Sequence, residues 1–184
     1  MKHYPDNRKH LGGHAFVTHL DLGVLSYCKT ELNCQSFLDV GCGPGGMVEL
    51  ARRTGYDPVR GIDGDPRVAN QDIIIHDFAT KPYKMYDKFD LGYSCEFVEH
   101  VEEKYIPNYM PCFQKCKFVV MTFAPEGARG YHHVNCRNAQ YWIDVFSEYG
   151  FVYEEALTNK VREFSLMERN FVRENGLVFI NEQV

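Results

Sequence analysis

Phe37-Leu38-Asp39-Val40-Gly41-Cys42-Gly43-Pro44-Gly45-Gly46 is an apolar run that ends in an acid and opens into a glycine-dense turn. Such glycines are costly to order unless the backbone bends sharply, adopts positive φ, or lies against something a Cβ would displace. A ligand is one such object; a tight connection without a ligand is the other reading. Behind the turn, Met47, Leu50, Ala51 and Tyr56 recur at near-helical spacing, and the next apolar segment, Pro58 to Asp65, again ends in acids. Strand, glycine turn, helix, strand is the context in which this motif predicts a nucleotide-type site.

Outward from that unit, 184 residues fit one domain with a substantial core. Residues 1–35 are expected to form a helical N-terminal cap or lid: 1–10 are polar, and apolar positions from Gly12 to about Leu32 suggest a helix or two, interrupted near Gly23. The first strand is expected at Ser36 to Val40, the first helix of the unit at Gly46 to Arg53, and the second strand after Pro58. Pro66 is expected to start a short helix. Further strands are read at Asp72 to Asp77, Phe89 to Ser94 and Lys117 to Phe123. A helical region near Glu102 to Tyr109 is expected to break at Pro107 and Pro111. Ala139 to Tyr149 is amphipathic with Gly150 as its stop, and Phe151 to Glu155 and Gly176 to Ile180 are the last candidate strands. Alternation of strands with short helices implies an α/β fold, a largely parallel sheet covered on both faces, with its ligand at the carboxyl ends of the strands.

A formal net charge of -5 disfavours a large electropositive surface, so no nucleic-acid partner is expected. The N-terminus lacks the apolar core of a secretory signal, and no stretch approaches the roughly 20 apolar residues that span a bilayer. Cys28, Cys34, Cys42, Cys95, Cys112, Cys116 and Cys136 form no regular framework and read as free thiols in a reducing, cytoplasmic setting. The Cys112/Cys116 pair has no second pair to complete a zinc site, and no metal ligand is assigned. A monomer or a homodimer is expected.

Gly41, Gly43 and Gly46 also satisfy a dinucleotide fingerprint, with Asp63 near the ribose-binding position. Asp39 argues against a dinucleotide, because a pyrophosphate would pass within reach of its charge; a cofactor with a cationic head suits it better. With Asp39-Val40-Gly41-Cys42-Gly43-Pro44-Gly45, Asp63, Asp77 in Ile75-His76-Asp77-Phe78, and Phe89 to Val101, the chain resembles the class I S-adenosylmethionine-dependent methyltransferases, in their small-molecule, quinone-biosynthesis-like branch. That resemblance implies a Rossmann-like class I methyltransferase fold, a mostly parallel sheet with an antiparallel last strand and helices on both faces. It implies S-adenosyl-L-methionine as cofactor. Carried over, Gly41, Gly43 and Gly45 line its methionyl part, Asp39 places its ammonium, and Asp63 takes both ribose hydroxyls. Asp77 takes the adenine amino group, the Phe78 backbone addresses the ring, and Ser94, with Cys95 and Glu96, passes near the sulfonium. Capping or turn roles are the alternative for the three acids.

Methyl transfer to oxygen is an in-line displacement in which a hydroxyl must also lose its proton. His133, His132 and His100 are the candidate bases on the loops that face the sulfonium, with a surface role as the alternative; Glu99-His100 could instead orient the following helix. His10, His14 and His19 read as solvated or packing residues, with a lid role as the alternative for His14. Arg137 and Arg162 could hold an anion or make surface ion pairs, and Tyr131, Tyr141 and Trp142 could line a pocket or fill the core. The expected function is S-adenosylmethionine-dependent O-methylation of a small metabolite or saccharide. The alternatives are a nucleic-acid or protein methyltransferase, and a non-catalytic cofactor-binding subunit.

Overall fold

A computed structural model describes residues 9–184; the polar leader expected at 1–8 lies outside the described residues. The order is α1 (Leu22–Glu31), β1 (Phe37–Val40), α2 (Gly46–Arg53), β2 (Val59–Asp63), β3 (Ile73–Ile75), β4 (Phe89–Ser94), α3 (Ile106–Phe113), β5 (Cys116–Met121), α4 (Ala139–Glu148), β6 (Phe151–Tyr153), α5 (Glu155–Phe164), α6 (Phe171–Asn175) and β7 (Leu177–Asn181). Short 3-10 turns fall at Pro66–Val68, Val98–His100 and Glu103–Tyr105. One sheet runs β3-β2-β1-β4-β5-β7-β6. Its first five strands pair in parallel, and β7 is antiparallel to both β5 and β6. This is the Rossmann-like class I methyltransferase architecture, with the antiparallel last strand in place.

Strand order reverses between β1 and β4, which opens a crevice at their carboxyl ends. Alternation along β1 shows how both faces are filled. Phe37 joins an apolar cluster with residues of α1, α2 and α5, whereas Leu38 and Val40 join a second cluster with α3 and α4. In the second cluster Phe146 stacks on Phe179 at 4.2 Å and meets Phe113 and Phe151. Phe146 is fully buried. Phe146→Ala is expected to cost about 3–5 kcal/mol, read as a lower midpoint in urea unfolding at unchanged slope; a loss under 1 kcal/mol would contradict this packing.

Three expectations need correction. Gly23 does not interrupt the N-terminal helix; it lies inside α1, because a Cβ there would fall 1.8 Å from the Phe164 carbonyl oxygen, so glycine lets α1 lie against the end of α5. The turns before Asp21 are not helical. Pro107 does not break α3 but sits in its first turn, where a missing N–H loses nothing, and Pro111 is accommodated inside the helix. Helix α5 occupies part of the interval between the last two candidate strands, for which the sequence analysis names no element. Trp142 is core, fully buried.

Candidate functional site

Gly41 and Gly43 turn the chain out of β1 with φ of +78° and +50°, a left-handed region that favours glycine. A Cβ on Gly41 would meet the Phe97 ring at 2.4 Å, so this glycine brings the loop after β4 down onto the loop after β1. Together they border a cavity of about 750 Å³ at the carboxyl edge of the sheet, within the usual size of small-ligand sites.

The acids are disposed around its floor and wall. Asp39 is buried at the end of β1, and burial pushes its carboxyl well above the usual range, with the Asp63 charge adding to the effect. Asp63, at the end of β2, accepts from the Gly43 N–H at 2.8 Å and from the Asp65 N–H at 2.8 Å. Burial raises its pKa, and those two N–H groups hold it back. Each carboxylate oxygen keeps lone-pair capacity beyond these bonds. Asp77 accepts from the Ala79 N–H at 2.9 Å and lies 2.9 Å from His10 Nε2, and Phe78 is buried beside it. Asp39, Gly41, Gly43, Asp63, Asp77 and Phe78 all line the one cavity.

Two of the sequence-derived cofactor positions do not line it. Gly45, at φ +82°, caps α2 and backs onto Ile73. Ser94 is fully buried and donates its hydroxyl to the Val40 carbonyl at 2.8 Å, tying β4 to β1.

His100, His132 and His133 line the same cavity. His100 and His133 rings lie edge to face at 4.9 Å, and His132 lies 6.1 Å from His10. Burial, and then the proximity of His133, lowers the His100 pKa to about 4. His133 Nδ1 sits 3.3 Å from the Ala128 carbonyl, which as a donor bond would leave Nε2 with the lone pair. Gly130 makes room for that ring. The loop is held to the turn after β4 by Val134 and Asn135, whose N–H groups donate to the Glu99 carbonyl at 2.9 and 3.0 Å.

Sequence reasoning underweighted Glu96 and Glu99. Glu96 takes positive φ, accepts from Thr122 Oγ1 at 2.9 Å, and lines the cavity. Glu99 is fully buried, and no side chain caps the turn in which it lies. Burial raises both pKa values, and the two carboxyls raise Glu99 further by facing each other. Only the packing of the β4 and β5 ends could reveal that. The N-terminal segment reaches the site through three contacts: His10 meets Asp77, His14 meets Asp65 at 3.2 Å, and Thr18 accepts from the Gly46 N–H at 3.2 Å. Arg137 pairs with Glu103, Arg162 bonds the Gly176 carbonyl, and neither lines the cavity. Of the three aromatics only Tyr131 lines it. All seven cysteines are free thiols.

A family model described as a methyltransferase domain matches residues 38–120. Among solved structures, the methyltransferase domain of bacterial CtHen1 is 16% identical, with 86% of this chain and 94% of that chain aligned at a TM-score of 0.56. Magnesium protoporphyrin IX methyltransferase from Synechocystis PCC 6803 with bound SAM is 15% identical, covering 86% and 76% at 0.59. The N-methyltransferase NodS from Bradyrhizobium japonicum WM9, in complex with S-adenosyl-l-homocysteine, is 16% identical, covering 86% and 84% at 0.59. No curated protein matches by sequence.

Proposed function

From the premise that this chain has the class I S-adenosylmethionine-dependent methyltransferase fold, we propose that it is a methyltransferase that moves the methyl group of S-adenosylmethionine to a hydroxyl of a small metabolite or saccharide. The observation that carries this reading is the placement of Asp39, Asp63 and Asp77 on one cavity that also holds His100, His132 and His133. When bound, S-adenosylmethionine supplies a methyl on a sulfonium and leaves as S-adenosylhomocysteine.

The residues fit that group. Asp39 is a buried carboxylate whose raised pKa reflects burial beside a second acid, so an ammonium is the partner that would lower its cost. Gly41 and Gly43 give a backbone wall without side chains for the methionyl part, Asp63 holds the ribose hydroxyls, and Asp77 with Phe78 holds the adenine. Ser94 acts at one remove, by fixing the ends of β1 and β4. Gly45 contributes by starting α2. His133 takes the acceptor proton on its free nitrogen as oxygen attacks, with His132 and His100 shaping the acceptor side; the depressed pKa of His100 keeps it neutral at pH 7. Within a single domain, the part of the N-terminal segment between Lys9 and His19 lines the cavity and excludes water from the displacement.

Seven free cysteines support a reducing, cytoplasmic setting, and no helix among the described residues is long and apolar enough to cross a membrane. The net charge of -5 favours a small acceptor over nucleic acid. Turnover of S-adenosylmethionine against a panel of hydroxyl-bearing metabolites and sugars tests the reading. Formation of S-adenosylhomocysteine only with amine or nucleic-acid acceptors would overturn it.

Asp39→Asn separates the two sides of the buried acid. Because the folded pKa is raised, the cofactor-free wild type loses stability as pH rises from the ordinary carboxyl range toward that raised value. The amide does not ionise, so the melting temperature of the variant should be flatter across that window. Its affinity for S-adenosylhomocysteine should fall about 30-fold, the lower end of the usual scale for deleting one member of a buried charge pair, since the amide keeps one acceptor oxygen. Parallel pH curves for the two proteins would contradict this.

A further inference from the structure

We propose that Glu99, His100 and His133 form a binding site for a divalent transition-metal ion beside the acceptor end of the cavity. One ligand atom from each of the three lies within 4.8 Å of the others. An ion with bonds of about 2.1 Å would hold such donors about 3 to 4 Å apart, a small side-chain rotation from where they stand.

The second observation is Glu99 itself. Its side chain is fully buried, and neither carboxylate oxygen makes a well-aligned hydrogen bond; the Glu96 carboxyl and the Glu99 and Ala124 N–H groups are the polar groups close by. The buried Nδ1 of His100 is likewise without a partner. A carboxylate and an imidazole nitrogen left this way at the same point cost stability that a shared cation would recover.

Chemistry narrows the ion. Two imidazole nitrogens and one carboxylate suit Zn²⁺, Mn²⁺, Fe²⁺ or Co²⁺, whereas Mg²⁺ and Ca²⁺ favour oxygen donors. The contact of His133 Nδ1 with the Ala128 carbonyl is the kind of outer bond that fixes a ligating imidazole and leaves the other nitrogen for the metal. Glu96, braced by Thr122, flanks the set. His100 and His133 both line the cavity, so a coordination position left open faces the space assigned to the acceptor. With the ion bound, that nitrogen of His133 is a ligand and no longer the base; the ion would bind the acceptor hydroxyl and lower its pKa, so that the proton leaves to water before the methyl is transferred.

The site does not depend on the methyl-transfer reading, and its test does not use activity. The full 184-residue chain, stripped with EDTA and dialysed, is titrated with Co²⁺ by absorption and with Zn²⁺ and Mn²⁺ by calorimetry. One ion per chain at micromolar or tighter Kd is expected, with Co²⁺ ligand-field bands and no thiolate charge-transfer band. Glu99→Gln, which keeps the shape of the side chain, and His133→Ala, on a partly exposed loop, should each weaken binding about 10-fold or more, whereas His76→Ala should not. No saturable binding by the wild type, a thiolate band, or equal binding by both ligand variants would overturn the proposal. Tight binding in a chain that methylates no hydroxyl would leave the cation site standing and overturn the acceptor reading alone.

Discussion

Asp63→Ala is expected to lower the affinity for S-adenosylhomocysteine by about 100-fold or more. Two effects add. Hydrogen bonds from ribose hydroxyls to a charged acceptor contribute about 1.5–3 kcal/mol each, and both would be lost together. The same carboxylate also holds the Gly43 N–H and the Asp65 N–H at 2.8 Å each, so its removal leaves two donors unmatched and lets the loops after β1 and β2 part. Calorimetry should therefore show the loss in affinity together with a lower melting temperature of the free protein. Asp63→Asn, which keeps an acceptor oxygen, should recover part of both. Affinity within threefold of wild type in the alanine variant would remove Asp63 from the cofactor site.

His133→Ala is the second large effect. A base placed at a reacting hydroxyl contributes about 100- to 10,000-fold in rate, and kcat on a hydroxyl acceptor should fall by that order. Binding of S-adenosylhomocysteine should be unchanged, because His133 contacts Ala128, Cys136 and His100 and not the acids proposed to hold it. Its loop is pinned by backbone bonds to the Glu99 carbonyl, not by its ring, so the fold should survive the substitution. A drop in cofactor affinity as large as the drop in kcat would assign His133 a structural role.

The resemblance and the physics of the first loop reached the architecture because their signals are local. Phe37, Leu38 and Val40 place apolar side chains on both faces, as a strand inside a covered parallel sheet must. Gly41 and Gly43 occupy positions where positive φ is required, and Gly150 closes α4 at φ +87°. Strand ends at Asp63 and Ser94 fell where the polar residues begin. Local signals misled where a neighbour decided the outcome. Gly23 looked like an interruption until the end of α5 was seen against it, and Pro111 looked like a break although the rest of α3 packs well enough to carry it.

The sequence by itself determined the glycine turn, the three strand-end acids and the strand-helix alternation, since each is written in consecutive residues or at a fixed period. Only the tertiary structure decided that Glu99 is buried against His100 and His133, that Ser94 faces a carbonyl of β1, and that His10 and His14 reach Asp77 and Asp65. Apart from the adjacent Glu99 and His100, those pairings join residues far apart in the chain. Their distances are set by how loops leave neighbouring strands of a twisted sheet, and no spacing within a single segment encodes that.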